Sequence, residues 1–206
     1  MKALLAALLL LGASPALADA ASDFRAGRWA EAIADGRREA TTTSLVLAGR
    51  AQLVIAGYQV RDKAQALAMV DRADQDFDAA LAKAPNDLDA QMQKAIAIGF
   101  RAKLTKGIGL AKETKRRFEA IRARRPADPL VWAALGGWHG GAIATVGGFV
   151  ARTVVGARLE EVDNCFGRAL QLAPEDPAFR SLYAMTLLDL DADNAARAAA
   201  VLKGVG

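Results

Sequence analysis

The chain has 206 residues, 53% of them apolar, with 27 Lys or Arg against 23 Asp or Glu for a formal charge of +4. A single cysteine, Cys165, excludes an intrachain disulfide framework, so stability has to come from packing. With one histidine, His139, and no cysteine pair, the usual transition-metal ligand sets are excluded too.

Residues 1–20 read as a secretory leader. Met1 and Lys2 give a positive start, Ala3 to Leu11 an apolar core too short to span a bilayer, and Ala18 or Ala20 the small residue before cleavage. That pattern predicts export to a bacterial periplasm. Residues 21–206 then form one domain. Apolar residues recur every three to four positions with no sustained alternation, which predicts an all-α fold.

In chain order, helices are expected over Ser22–Ala40, Leu45–Gly57, Arg61–Lys83, Asp87–Lys103, Gly107–Arg124, Asp128–Ala144, Ala157–Ala173, Asp176–Leu190 and Asp193–Lys203. The stops carry these assignments. Pro85, Pro126 and Pro174 are each followed two residues later by an Asp; proline ends one helix and the carboxylate caps the next. Each proline also lies eight residues after a Phe, with Ala or Ile three after the Phe: Phe77/Ala80, Phe118/Ile121 and Phe166/Ala169. A repeated Phe-to-Pro block indicates stacked helical units rather than one enzyme-like core.

Phe-x-x-Ala-x4-Pro resembles the second half of the tetratricopeptide-repeat pattern, and Trp132-Ala-Ala-Leu135-Gly136-Gly-Trp-His139 resembles its first half. Gly27-Arg28-Trp29-Ala30-Glu31-Ala32-Ile33 is similar to the segment that opens a second helix in that family and projects the first anchor onto Ser44. Gln91, Lys94 and Arg180 stand where the family has large apolar residues. Anchors at 44, 85, 126 and 174 exceed the family period of about 34 by near-whole helical turns, with the longest insertion after His139. The resemblance implies antiparallel hairpins, elongated, stacked as a right-handed superhelix.

It also implies a concave groove lined by the first helix of each hairpin. Carried over position by position, the groove includes Ile55, Tyr58, Met92, Ile96, Phe100 and Met185. This lining is apolar and lacks a carboxylate clamp, which suits an amphipathic helix of a protein or peptide partner. The alternative is a hydrophobic small molecule or lipid, as in a carrier or transporter-accessory subunit. The groove can also be filled by the chain's own N-terminal helix or by a second copy in a homo-oligomer.

Two further surfaces stand out. Between Arg101 and Arg125 ten Lys or Arg meet only Glu113 and Glu119, and Lys112, Lys115, Arg116 and Arg122 fall opposite the apolar side of their helix. Such a patch suits anionic lipid or an anionic envelope polymer; nucleic acid is not expected for an exported chain. From Pro129 to Ala151 the chain is uncharged, and Trp138, His139 and Phe149 are expected at a hydrophobic hairpin tip. The run Asp71, Asp74, Asp76, Asp78 reads as a solvated helix face. No nucleophile–base set, phosphate loop or carboxylate pair stands out, and no metal or cofactor is expected, so the expectation is a scaffold or adaptor rather than an enzyme.

Overall fold

The computed structural model describes residues 19–203, and most of the expected leader lies outside them. Among the described residues the protein is all α, with no strand. The helices are α1 (Ala20–Arg25), α2 (Trp29–Glu39), α3 (Thr42–Tyr58), α4 (Lys63–Lys83), α5 (Leu88–Thr105), α6 (Ile108–Arg124) and α7 (Pro129–Val146). A short α8 (Gly148–Val150) runs into a π turn (Ala151–Val155), followed by α9 (Leu159–Leu172), α10 (Pro177–Leu190) and α11 (Ala195–Leu202).

Each Pro-x-Asp is a helix break built in the same way. The Asp side chain accepts from a backbone N–H of the next helix, Asp87 from Ala90, Asp128 from Leu130 and Asp176 from Ala178, at 2.7–2.9 Å. Six residues after each proline a side-chain N–H reaches back to its carbonyl: Gln91 to Pro85 and Trp132 to Pro126, both at 2.8 Å, and Arg180 to Pro174 at 3.2 Å. The two polar residues at apolar positions are thus donors that satisfy a carbonyl at the break, the same work Trp132 does with its indole. Lys94 instead reaches the carboxylate of Asp74 at 3.1 Å.

The first expected helix is two. Gly27 sits at φ +71°, a conformation open to glycine, and Arg28 pins the turn through its backbone N–H on the Asp23 carbonyl (2.9 Å) and its guanidinium on the Asp23 carboxylate (2.6 Å). α2 therefore starts at Trp29. The first anchor also moves. α3 is capped by Thr41 in a reciprocal pair with Ser44, so Ser44 lies inside the first turn and not at the break. The caps at 41, 87, 128 and 176 set the true register, and eight residues past them lie Gly49, Ala95, Gly136 and Ala184.

Those small residues admit the motif phenylalanines. A Cβ on Gly49 would lie 2.4 Å from the Phe77 ring, and one on Gly136 2.7 Å from Phe166. Phe77, Phe118 and Phe166 are all buried. Partners run in opposite directions, Leu45, Gly49 and Leu53 of α3 meeting Ala80, Phe77 and Val70 of α4, so these two helices are antiparallel. Successive first helices touch in order, α3 on α5, α5 on α7 and α7 on α10.

α7 is central, packing on α5, α6, α9 and α10 with Val131, Ala133, Leu135 and Trp138 buried. No helix among the described residues is long and apolar enough to cross a membrane. The acid run on α4 is only partly a solvated face, with Asp71 and Asp78 exposed. Asp76 is buried and receives Arg37 of α2 in two bonds (3.0 and 3.1 Å) and Gln52 of α3 (2.6 Å), joining three helices. Asp71, Asp74 and Asp78 answer Arg101 and Lys94 of α5.

Candidate functional site

α5, α6, α7 and α10, with the end of α3, line an apolar groove of about 330 Å³. Its floor is a stripe on α7, Ala134, Gly137 and Gly141, at the i, i+3, i+7 spacing that puts three residues on one helix face. Its walls are Ile96 and Phe100 of α5, Trp138 of α7 and Leu182 and Met185 of α10, with Tyr58 at the end of α3. A Cβ placed on Gly137 or Gly141 would meet no atom within 4 Å. Glycine inside a helix costs about 0.5–1 kcal/mol relative to alanine, and here no neighbouring side chain needs the space. What the two glycines leave open is the groove itself.

Four of the six expected groove residues, Tyr58, Ile96, Phe100 and Met185, line this groove. Two do not. Met92 is packed in the core with Phe118 and Ile121, and Ile55 is half-buried away from the lining. On α3 the groove reaches only the last turn, Gly57 and Tyr58, so Ile55 falls short of it. For Met92, α5 turns that position toward α6 and α7 instead.

The rim is partly charged. Lys103 and Asp189 meet at 2.8 Å across one end, tying α5 to α10, and Lys106 stands beside them. Both partners are more than half exposed, so this pair is worth under about 1 kcal/mol and is easily opened.

Trp138 and His139 are not at a tip. α7 continues past them to Val146, the chain turns at Gly147 (φ +79°), and both rings are buried mid-helix, Trp138 with its indole N–H on the Ala111 carbonyl (2.9 Å). Phe149 alone of the three occupies the tip, 81% exposed. His139 accepts the backbone N–H of Arg158 through Nδ1 at 3.0 Å. Burial, then the Lys115 and Arg158 charges, pull its pKa from 6.5 down to about 4 against the opposing influence of Glu160. The imidazole is therefore neutral with its proton on Nε2.

Stability should follow. The unfolded imidazole takes up a proton near pH 6.5 and the folded one only near 4, so acid favours unfolding; the contribution is complete above 6.5 and lost on descent toward 4. About 3 kcal/mol is at stake. The urea midpoint of the wild type is expected to fall more steeply over this range than that of His139→Gln; parallel curves would assign the acid sensitivity elsewhere.

The expected basic patch divides in two. Lys112 and Arg116 point outward, Arg116 pairing with Glu113, whereas Lys115 and Arg122 turn inward, Lys115 over the Trp138 ring (5.3 Å) and onto the Gly156 carbonyl (3.2 Å), Arg122 over Trp132 (5.2 Å). Much of the remaining basic stretch is neutralised from other helices, Arg101 by Asp71 and Arg125 by Asp89. Cys165 is buried, its pKa pushed up to about 11 by desolvation and by Glu161, so it stays a thiol. Among the described residues no three His, Cys, Asp or Glu side chains gather as metal ligands. No protein-family model matches the chain, and no curated protein matches it either.

Proposed function

We propose that this chain is a tetratricopeptide-like binding module that takes the apolar face of a partner helix into the groove between α5, α6, α7 and α10 at the end of α3. The observation that carries this reading is the pairing of a glycine floor with an open apolar rim. Gly137 and Gly141 leave room that no side chain of the described residues fills, while Tyr58, Ile108 and Met185 at the mouth and Leu188 beside it remain exposed. Exposed apolar side chains ringing a cleft mark a surface that another molecule covers. Lys106 on the rim favours a partner helix with acidic residues flanking its apolar stripe.

The repeated breaks, the small residue eight past each cap and the order of helix contacts support the tetratricopeptide-like reading. The apolar lining also suits a second reading, a hydrophobic small molecule held between the helices, because side chains of α5, α6, α7 and α10 all contribute to it. Periplasmic export is part of the proposal. Asp19 caps α1 and Ala20 is fully buried, so cleavage after Ala18 keeps both whereas cleavage after Ala20 removes them.

Native mass spectrometry of protein purified from its own cell separates the readings. The binding-module reading expects a ligand-free chain that begins at Asp19. A retained lipid or metabolite, lost from a Gly141→Leu variant, would replace it with the carrier reading.

A further inference from the structure

A second cavity lies on a different face of α7, walled by α6, the π turn and the start of α9, and its chemistry is the reverse of the groove's. Lys115, Arg122, Arg152 and Arg158 all line it, against Glu119 and Glu161. Lys115 has Glu119 at 3.8 Å, but Arg122, Arg152 and Arg158 have no carboxylate within 4.0 Å among the described residues. On α6, by contrast, Arg116 and Arg117 are both answered by Glu113. Three unanswered guanidinium groups around one concavity form a field that favours an anion.

The cavity wall supplies a second, independent observation. His139 is 5% exposed and lines this cavity, with Nδ1 engaged by the Arg158 N–H. Its Nε2 makes no hydrogen bond to any described residue, although the atom is not sealed from solvent. A buried imidazole held in one tautomer, with a free N–H open to a basic cavity, is a donor without an acceptor. The backbone around it is unusual as well. Residues Ala151–Val155 form a π turn closed by Gly156 at φ +79°, a geometry that recurs at functional sites and here brings Arg152 to the cavity from beyond the end of α7.

We propose that this cavity binds a phosphate-type oxyanion, with Arg122, Arg152 and Arg158 supplying charge-assisted hydrogen bonds and the His139 Nε2–H a neutral one. The outward residues Lys112 and Arg116 take no part. The site is separate from the apolar groove and does not depend on that reading, although Trp138, which walls the groove, lies under Lys115.

Inorganic phosphate, titrated calorimetrically into the purified chain at fixed low ionic strength, tests this directly. Arg152 and Arg158 are exposed, so Arg152→Gln/Arg158→Gln keeps the fold, and Lys112→Gln/Arg116→Gln removes the same charge outside the cavity. Saturable binding should weaken about tenfold or more in the first variant and stay within about twofold in the second. Vesicles containing phosphatidylglycerol, sedimented with the same proteins, tell the sources apart. Retention that needs Arg152 and Arg158 assigns the anion to a lipid headgroup, and phosphate binding without retention assigns it to a free oxyanion. No saturable binding of either probe, or equal weakening in the two variants, overturns the proposal.

Discussion

Phe166→Ala is expected to destabilise the protein by about 3–5 kcal/mol, the range for truncating a fully buried aromatic. Phe166 has no exposed surface, and its ring lies against Gly136, which has no side chain to move into the space left behind. The ring also stacks on Tyr183 at 4.7 Å with planes 16° apart, an arrangement worth about 0.5–1.5 kcal/mol beyond the area it buries. Tyr183 in turn donates to Asp163 (2.6 Å), and Arg197 of α11 meets the same carboxylate at 2.9 Å. Losing one ring therefore loosens the contact of α9 with α7 and the seat of the last two helices. At about 2–4 °C per kcal/mol for a chain of this size, the melting midpoint should drop by roughly 10 °C. Phe149→Ala, at the exposed tip, should stay within about 0.5 kcal/mol, and a comparable loss there would mean the tip is packed against something.

The second large effect is on binding, with folding unharmed. In Gly141→Leu the new side chain enters the groove from its floor, where a Cβ meets no atom within 4 Å. Removing a glycine from a helix interior gains roughly 0.5–1 kcal/mol, so the variant should be at least as stable as the wild type. A branched side chain in the middle of a 330 Å³ groove leaves too little room for an anchor residue of a partner helix. Loss of a central anchor of that kind weakens association by about 2 kcal/mol or more, some thirtyfold. Gly136 and Gly140 make the contrast: Cβ atoms there would lie 2.7 Å from Phe166 and 2.2 Å from Thr186, so substitution should damage the fold itself.

The helix breaks were legible because their signal is local. Proline and a capping Asp act within one turn, so Pro85, Pro126 and Pro174 marked the boundaries, and the Phe-to-Pro spacing marked α4, α6 and α9. The first anchor was not legible, because no proline stands there and the Thr41–Ser44 pair had to be chosen from four consecutive hydroxyl residues. Charges were misread for a related reason. The basic stretch after Arg101 and the acid run after Asp71 look like separate surfaces along the chain, yet Arg101 and Lys94 close onto that run from the next hairpin. Lone polar residues behaved likewise. Nothing adjacent to His139 announces that its Nδ1 meets a backbone N–H nineteen residues later, and the carbonyl-seeking role of Gln91 and Arg180 is visible only once the break is folded. Ile96, Phe100 and Met185, which line the groove, follow from the proline register on α5 and α10, while the second cavity, assembled from α6, α7, the π turn and α9, has no such local signal.

Docking of a partner helix in the groove can be read out by crosslinking in the producing cell. A photoreactive residue replaces Met185, exposed on the groove wall, and irradiation is followed by sequencing of the crosslinked peptide. Expected is a specific adduct whose sequence forms an amphipathic helix with acidic flanks, absent when Gly141→Leu is present in the same folded chain. An adduct that persists unchanged in Gly141→Leu, or one that maps to this chain's own sequence, would contradict it.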